Sequence, residues 1–289
     1  MARNNLNEMI GRLRSSQSMI KKGIKQQRQG LYEQAIRSYD RAMEIDRISI
    51  NVLKNKGFHP LKQANPEKAI LAVDKAKKIE TSQADTLFRK GECLNALGRM
   101  EDAIRIYQKS LELNSWNAEV WFRQGMCFHS LDRFKEAVSA FDRALELNPN
   151  NALLWFNKGA TLDSLGRYSE AIQCYNEALE FDSKDSDIWF NKGISLRSLN
   201  RFDEAIDSFD RALKINPEDP AVLFNKGVAY KLSGRLEEAA ASFEQVLQIE
   251  LWDPVVWYFD GATTRALGRF EPALACLERA LEIDPGYAP

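Results

Sequence analysis

The sequence predicts an all-α solenoid of antiparallel helix pairs, and three observations predict it. Glycine returns at a fixed interval of 34 residues, at Gly23, Gly57, Gly91, Gly125, Gly159, Gly193, Gly227 and Gly261. Alanine keeps the same interval from Ala35 to Ala273. Between these positions apolar residues follow the three-to-four spacing of helices rather than the alternation of strands. Self-similarity at such a period means one supersecondary unit repeated, so function belongs on a shared surface rather than at a single catalytic cluster.

The elements follow in order. Residues 1–15 read as a helical extension, and residues 16–287 as eight units with bounds 16–49, 50–83, 84–117, 118–151, 152–185, 186–219, 220–253 and 254–287. In the fifth unit Trp155, Gly159 and Leu162 share one helix face, and Ala171, Ile172, Tyr175, Ala178 and Leu179 share the face of the next. Gly166 suits a C-terminal cap with positive φ, and Ser169 is expected to cap the second helix. Asn148-Pro149, Asn216-Pro217 and Asp284-Pro285 end second helices, because the residue before proline is pushed out of the α region. Gly159 and Ala171 are expected to let the two backbones approach closely, with Trp155 and Tyr175 on the flanks. In the second unit Phe58-His59-Pro60 places proline inside the first helix, where a kink is expected. In the last unit Leu274, Leu277 and Leu281 are expected on the exposed outer face, to be covered by a neighbour, a second protomer or residues of a longer protein.

The succession Trp155, Lys158-Gly159, Leu162, Gly166-Arg167-Tyr168, Ala171-Ile172, Tyr175 and Ala178-Leu179 resembles the tetratricopeptide repeat family. The resemblance covers residues 16–287. A third small column supports it, reading Ala42, Ala76, Ser110, Ala144, Ala178, Ala212, Val246 and Ala280. It implies a right-handed superhelix whose first helices line a concave groove and whose second helices form the convex back. The regularity is similar to prokaryotic, particularly archaeal, members.

Composition excludes several function classes. Formal net charge is −1, so the chain as a whole is no polyanion binder, and nucleic acid is not an expected partner. Residues 1–78 nevertheless hold 17 Lys and Arg against seven Asp and Glu, leaving 23 against 34 for the remainder. Met1 to Ile20 has no apolar run suited to a signal peptide or membrane span, so a cytoplasmic location and no membrane association are expected. Cys93, Cys127, Cys174 and Cys276 follow the repeat rather than a metal-ligand spacing, and read as core thiols. His59 and His129 fall in different columns without a nucleophile motif, and no phosphate-binding loop or HExxH is present. The expectation is a non-enzyme without cofactor or metal.

Along the first helix of the fifth unit the face opposite the hairpin core runs through Leu153, Phe156, Asn157, Ala160, Asp163 and Ser164. Down the chain the Phe156 column reads Phe88, Phe122, Phe156, Phe190, Phe224 and Tyr258; its neighbour reads Arg89, Arg123, Asn157, Asn191, Asn225 and Phe259. Asparagine offers an acceptor and two donors that match an extended peptide backbone, and aromatics add apolar contact. The candidate peptide-binding residues are therefore Phe88, Arg89, Phe122, Arg123, Phe156, Asn157, Phe190, Asn191, Phe224 and Asn225. Arg197 and Lys231 join them near the ends of successive groove helices, followed by Arg265, as a rail for acidic side chains or as solvated charges. Lys158, Lys192 and Lys226 read as stems lying along the hairpin with ammonium groups in water. The Asn run, with Asn55, resembles the asparagine ladders of peptide-binding family members. A two-carboxylate clamp is not expected, because Asp85 and Glu119 precede Arg89 and Arg123 where a cation is needed. The expected function is a non-catalytic scaffold that binds an extended peptide or partner segment in its groove. The alternatives are self-assembly through the last unit, giving a homo-oligomer, or the scaffold portion of a larger protein.

Overall fold

A computed structural model describes the backbone of residues 2–62 and 66–286, and the side chains of residues 11–47 and 78–286. Every regular element among them is helical: α1 (Ala2–Arg28), α2 (Tyr32–Lys62), α3 (Pro66–Ala96), α4 (Met100–Leu113), α5 (Ala118–Ser130), α6 (Phe134–Leu147), α7 (Ala152–Ser164), α8 (Tyr168–Phe181), α9 (Ser186–Ser198), α10 (Phe202–Ile215), α11 (Pro220–Leu232), α12 (Leu236–Ile249), α13 (Pro254–Ala266) and α14 (Phe270–Ile283). The chain divides into two compact units, Met1–Pro149 and Asn150–Pro289. Within each, every helix packs on the next in sequence, which is the solenoid arrangement.

In the second unit α7, α9, α11 and α13 are first helices of hairpins, and α8, α10, α12 and α14 are second helices. α7 also touches α9, and α9 touches α11, so the first helices approach one another along one side of the stack. In the first unit α5 and α6 form the same hairpin, whereas α2 and α3 are each 31 residues long. The expected boundaries at 49/50 and 83/84 thus fall inside helices. Later junctions carry proline, an Asn or Asp cap, or both; at the second of these junctions Thr81 and Gln83 supply neither, and at the first Arg47 stands where proline would end the helix, although Ser49 could cap. The side chains of Lys54, Asn55, Gly57, Phe58 and His59, and the kink expected at Pro60, lie outside the described residues.

The stops and starts have explicit causes. The Arg167 N–H donates to the Leu162 carbonyl (2.9 Å) and the Gly166 N–H to Asp163 O (2.8 Å), with Gly166 at φ 71°, a left-handed cap. Asp132 and Asn200 hold the same position at φ 57° and 58°. The cap expected at Ser169 does not form. Helix α8 begins at Tyr168, one residue past the left-handed turn, so Ser169 is already inside it, and Arg167 precedes it without a side-chain cap. The Arg167 guanidinium instead donates to both Glu170 carboxylate oxygens (2.7 and 2.6 Å). First helices are capped by Asn117, Asn151, Asp185, Asp219 and Asp253, whose side chains accept from backbone N–H groups in the opening turn.

The glycine column makes room for a ring rather than for backbone contact. A Cβ on Gly159 would stand 2.7 Å from Cε1 of Tyr175, and one on Gly193 2.5 Å from Phe209. Tyr175 therefore sits over the glycine, not on its flank as expected. Ala171, Ala178 and Tyr175 are fully buried, as are Ala205, Ala212 and Phe209. Cys93, Cys127 and Cys174 are buried free thiols, and Cys276 is partly buried.

Candidate peptide-binding face

Five phenylalanines of the candidate set rest on the core ring of their own hairpin. Centroid distances are 6.1 Å for Phe88 on Tyr107, 6.0 Å for Phe122 on Phe141 and for Phe156 on Tyr175, 6.1 Å for Phe190 on Phe209, and 5.7 Å for Phe224 on Phe243. Phe122 is buried and the other four are half-buried. They serve the hairpin first, and the four half-buried rings keep only part of their surface for a guest.

In the second unit Asn157, Asn191 and Asn225 occupy equivalent places on α7, α9 and α11, all half-buried. Each donates one amide N–H to the carbonyl four residues back on its own helix: Leu153 (2.7 Å), Asp187 (2.8 Å) and Ala221 (2.8 Å). That fixes the amide orientation and leaves each Oδ1 and one N–H for other partners. The run stops at α13, where Phe259 takes the Asn place and packs edge-on against Phe224 at 5.2 Å. A pocket of ≈ 340 Å³ opens beside Phe224 and Asn225, walled by Ala221, Val246, Glu250 and Val255.

Arg197 and Lys231 lie in the last turns of α9 and α11, half-buried. Burial pushes both below their ordinary pKa values, and for Lys231 the neighbouring Arg265 adds to the depression. Lys231 Nζ lies 4.8 Å from the centre of the Phe259 ring.

In the first unit Arg89 is exposed on α3. Arg123 on α5 is neutralised: its Nε donates to Glu119 (2.7 Å), stands 3.8 Å from Glu92, and its guanidinium lies 5.6 Å from the Phe122 ring. The lysine column departs from expectation. Lys226 Nζ is 2.6 Å from Asp210 Oδ1 and Lys90 is 2.5 Å from Asp40, so these ammonium groups tie successive hairpins together instead of ending in water. Lys158 and Lys192 lie over the Trp155 and Trp189 rings at 5.2 and 4.9 Å.

Sequence reasoning placed Asp163 on the groove face but missed its role. Its carboxylate accepts from Tyr175 Oη (2.6 Å) in its own hairpin and from Ser195 Oγ (2.7 Å) on the next first helix. A readable signal existed. Where the core ring is Tyr rather than Phe, the first helix supplies an acceptor: Gln27 for Tyr39, Glu92 for Tyr107 and Asp163 for Tyr175.

Models of the tetratricopeptide repeat match residues 84–115, 118–151, 152–185, 190–252 and 257–287. The chain belongs to the tetratricopeptide repeat family. No curated protein matched it. Solved structures did: YrrB, described as a TPR protein with an unusual peptide-binding site, is 25% identical with a TM-score of 0.56, over 63% of this chain and 93% of its own. PilW, a widely conserved type IV pilus biogenesis factor, is 20% identical (TM-score 0.60; 71% and 94% covered), and pilF of Pseudomonas aeruginosa is 19% identical (0.58; 72% and 95%). The last two show the fold alone. As a tetratricopeptide repeat protein the chain is a protein-interaction scaffold. Among the described residues no group of His, Cys, Asp and Glu could hold a metal, and no helix is long and apolar enough to cross a membrane.

Proposed function

We propose that the second unit is a non-catalytic docking site for an extended peptide or partner segment, laid across α7, α9 and α11. One observation carries this reading: Asn157, Asn191 and Asn225 repeat in the same orientation, each held by its own helix and each retaining an acceptor and a donor. Side-chain amides so arranged match the alternating C=O and N–H groups of an extended main chain without reading its side chains. Neighbouring rings and the pocket at Phe224 add apolar contact. The peptide-binding site named for YrrB supports the same reading. The test is affinity for a co-purifying or library-selected peptide in the double variant Asn157→Ala, Asn191→Ala. A fall of about tenfold or more is expected, since two hydrogen bonds of about 1 kcal/mol each are removed. Unchanged affinity in a folded variant rules the ladder out.

A second reading rests on α14. Leu274 and Leu281 are 57% and 50% exposed, in columns where Ile206 and Leu247 are covered by the following hairpin, and Phe270 is 69% exposed where Phe202 and Leu236 are half-buried. A second copy of the chain seated there gives self-association. Lys22, exposed on α1, holds the column of Lys226, and Glu278 that of Asp210. Light scattering across concentration and salt decides it, and a strict monomer throughout ends the idea.

A further inference from the structure

At the start of five second helices an arginine meets an acidic residue three places on: Arg99 with Asp102, Arg133 with Glu136, Arg167 with Glu170, Arg201 with Glu204 and Arg235 with Glu238. Lys226 and Lys90 find their aspartates across hairpins. Residues 79–289, moreover, hold 34 acidic groups for 23 basic ones, so carboxylates are in excess. Arg197, Lys231 and Arg265 occupy one column on α9, α11 and α13, and among the described residues none of them has an ion pair. Lys184, Lys192, Arg211, Lys214 and Arg269 have none either, but these five do not line up along the first helices.

A cation near a helix C-terminus complements the helix dipole, and that would explain three solvated charges. It does not explain why two of them are half-buried, at a cost in hydration that no carboxylate among the described residues offsets by pairing. Nor does the column demand a cation: in the preceding hairpins it holds Asn95, His129 and Asp163. Two first helices, α9 and α11, thus offer a short graded stripe towards their ends. On α9 it runs from Asn191 through Ile194 to Arg197, and on α11 from Asn225 through Val228 to Lys231. The opposite, N-terminal ends carry carboxylates, Asp185 and Asp187 on one helix and Asp219 on the next. The face is therefore polar along the helix axes, with the unpaired positive charge at one rim.

We propose that the guest of this face is an acidic segment, whose main chain meets Asn191 and Asn225 while its Asp or Glu side chains pair with Arg197, Lys231 and Arg265. The inference rests on the peptide-docking reading above and names the chemistry of the occupant. The carboxylates complete the coordination that burial has withdrawn from water, and charge-assisted pairs in such a partly dry setting are stronger than their solvated counterparts. The surrounding acid excess acts as a filter. Across residues 79–289 a polyanion meets net repulsion away from this rim, which favours local binding in register.

The probes are two fluorescein-labelled peptides of about eight residues, enough to span three neighbouring helices, one alternating Glu and Ala and the other Gln and Ala. Fluorescence anisotropy with the full chain is expected to show the Glu peptide binding at least about tenfold more tightly at low salt, with the difference shrinking as salt rises. In the double variant Arg197→Gln, Lys231→Gln that preference is expected to vanish, whereas Lys231→Arg keeps it. Circular dichroism melting verifies that each variant is folded. Equal binding of the two peptides, binding of neither, or a preference that survives the double variant overturns the proposal. The Asn157→Ala, Asn191→Ala variant separates the two claims. If it weakens both peptides equally while Arg197→Gln, Lys231→Gln changes nothing, the docking face stands and its acidic guest falls. If the reverse holds, the acidic guest stands and the ladder falls.

Discussion

Ser195 Oγ lies 2.7 Å from Asp163 Oδ1 and 2.8 Å from Oδ2, so a side chain on one hairpin holds the first helix of the next. Tyr175 Oη reaches the same carboxylate at 2.6 Å from the hairpin interior. One acid therefore ties three helices. Asp163→Ala leaves the fully buried Tyr175 hydroxyl without its acceptor, and a loss of about 1–3 kcal/mol is expected. Urea unfolding measures it. Asp163→Asn, which keeps an acceptor, is expected to lose less, and equal losses for Asn and Ala refute the hydrogen-bonding account.

Asp260 is the opposite case. It occupies the column where Lys226 pairs with Asp210, but it faces Glu244, is buried, and has an Oδ1 without a partner. Burial raises its pKa, Glu244 adds to the rise, and a hydrogen bond from Cys276 opposes it. Because the folded value exceeds the unfolded one near 3.8, this group stabilises the fold most below that pH and loses its contribution as pH rises through the folded value. Asp260→Asn removes the titration. The expected result is a variant whose urea midpoint, compared with the parent, gains as pH rises above 4, and a constant offset between the two contradicts it.

Two glycines separate packing from backbone conformation. At Gly193 an added methyl would fall 2.5 Å from the Phe209 ring, which is fully buried and cannot retreat. Gly193→Ala is expected to cost about 1–3 kcal/mol through overpacking. At Gly166 nothing lies within 4 Å, but φ is 71°, so Gly166→Ala costs about 1 kcal/mol from backbone strain alone. Phe209→Leu discriminates between them. It should relieve part of the Gly193→Ala loss in a double-mutant cycle and leave Gly166→Ala unaffected.

These residues also show how far the sequence could be read. The glycine and alanine columns and the apolar spacing were legible because each reports on one hairpin, and a hairpin recurs often enough for its pattern to stand out. The left-handed cap at Gly166 was legible for the same reason. Asp163 was not, since its partner Ser195 lies 32 positions away and meets it only through the stacking register. Lys226 with Asp210 was hidden likewise. At the candidate face the Asn run was visible as a column, but its anchoring to carbonyls of its own helix was not, and neither was the role of the phenylalanines as lids on the core rings. The helix through the junction at residues 81–83 could have been foreseen from Thr81 and Gln83, which supply neither a stop nor a start, whereas Ser49 at the preceding junction reads as a possible start and did not reveal the long α2.

The last contrast concerns α14. Ile206 on α10 and Leu274 on α14 occupy the same column of the second helices, yet Ile206 is 5% exposed and Leu274 57%. The difference lies in the cover: α11 packs on α10, burying Ile206 in a cluster with Leu196, Phe209 and Val222. Replacing Ile206 with Gln puts an amide among apolar groups and removes their contacts, for an expected loss of about 2–4 kcal/mol. Replacing Leu274 with Gln changes a side chain already in water, and stability is expected to stay within about 0.5 kcal/mol. Thermal melts of the dilute variants test both values. Repeating the Leu274→Gln melt at high protein concentration adds the decisive comparison: if a second copy covers α14, the parent gains melting temperature with concentration and the variant does not. Identical concentration dependence in both leaves that face without a role in self-association.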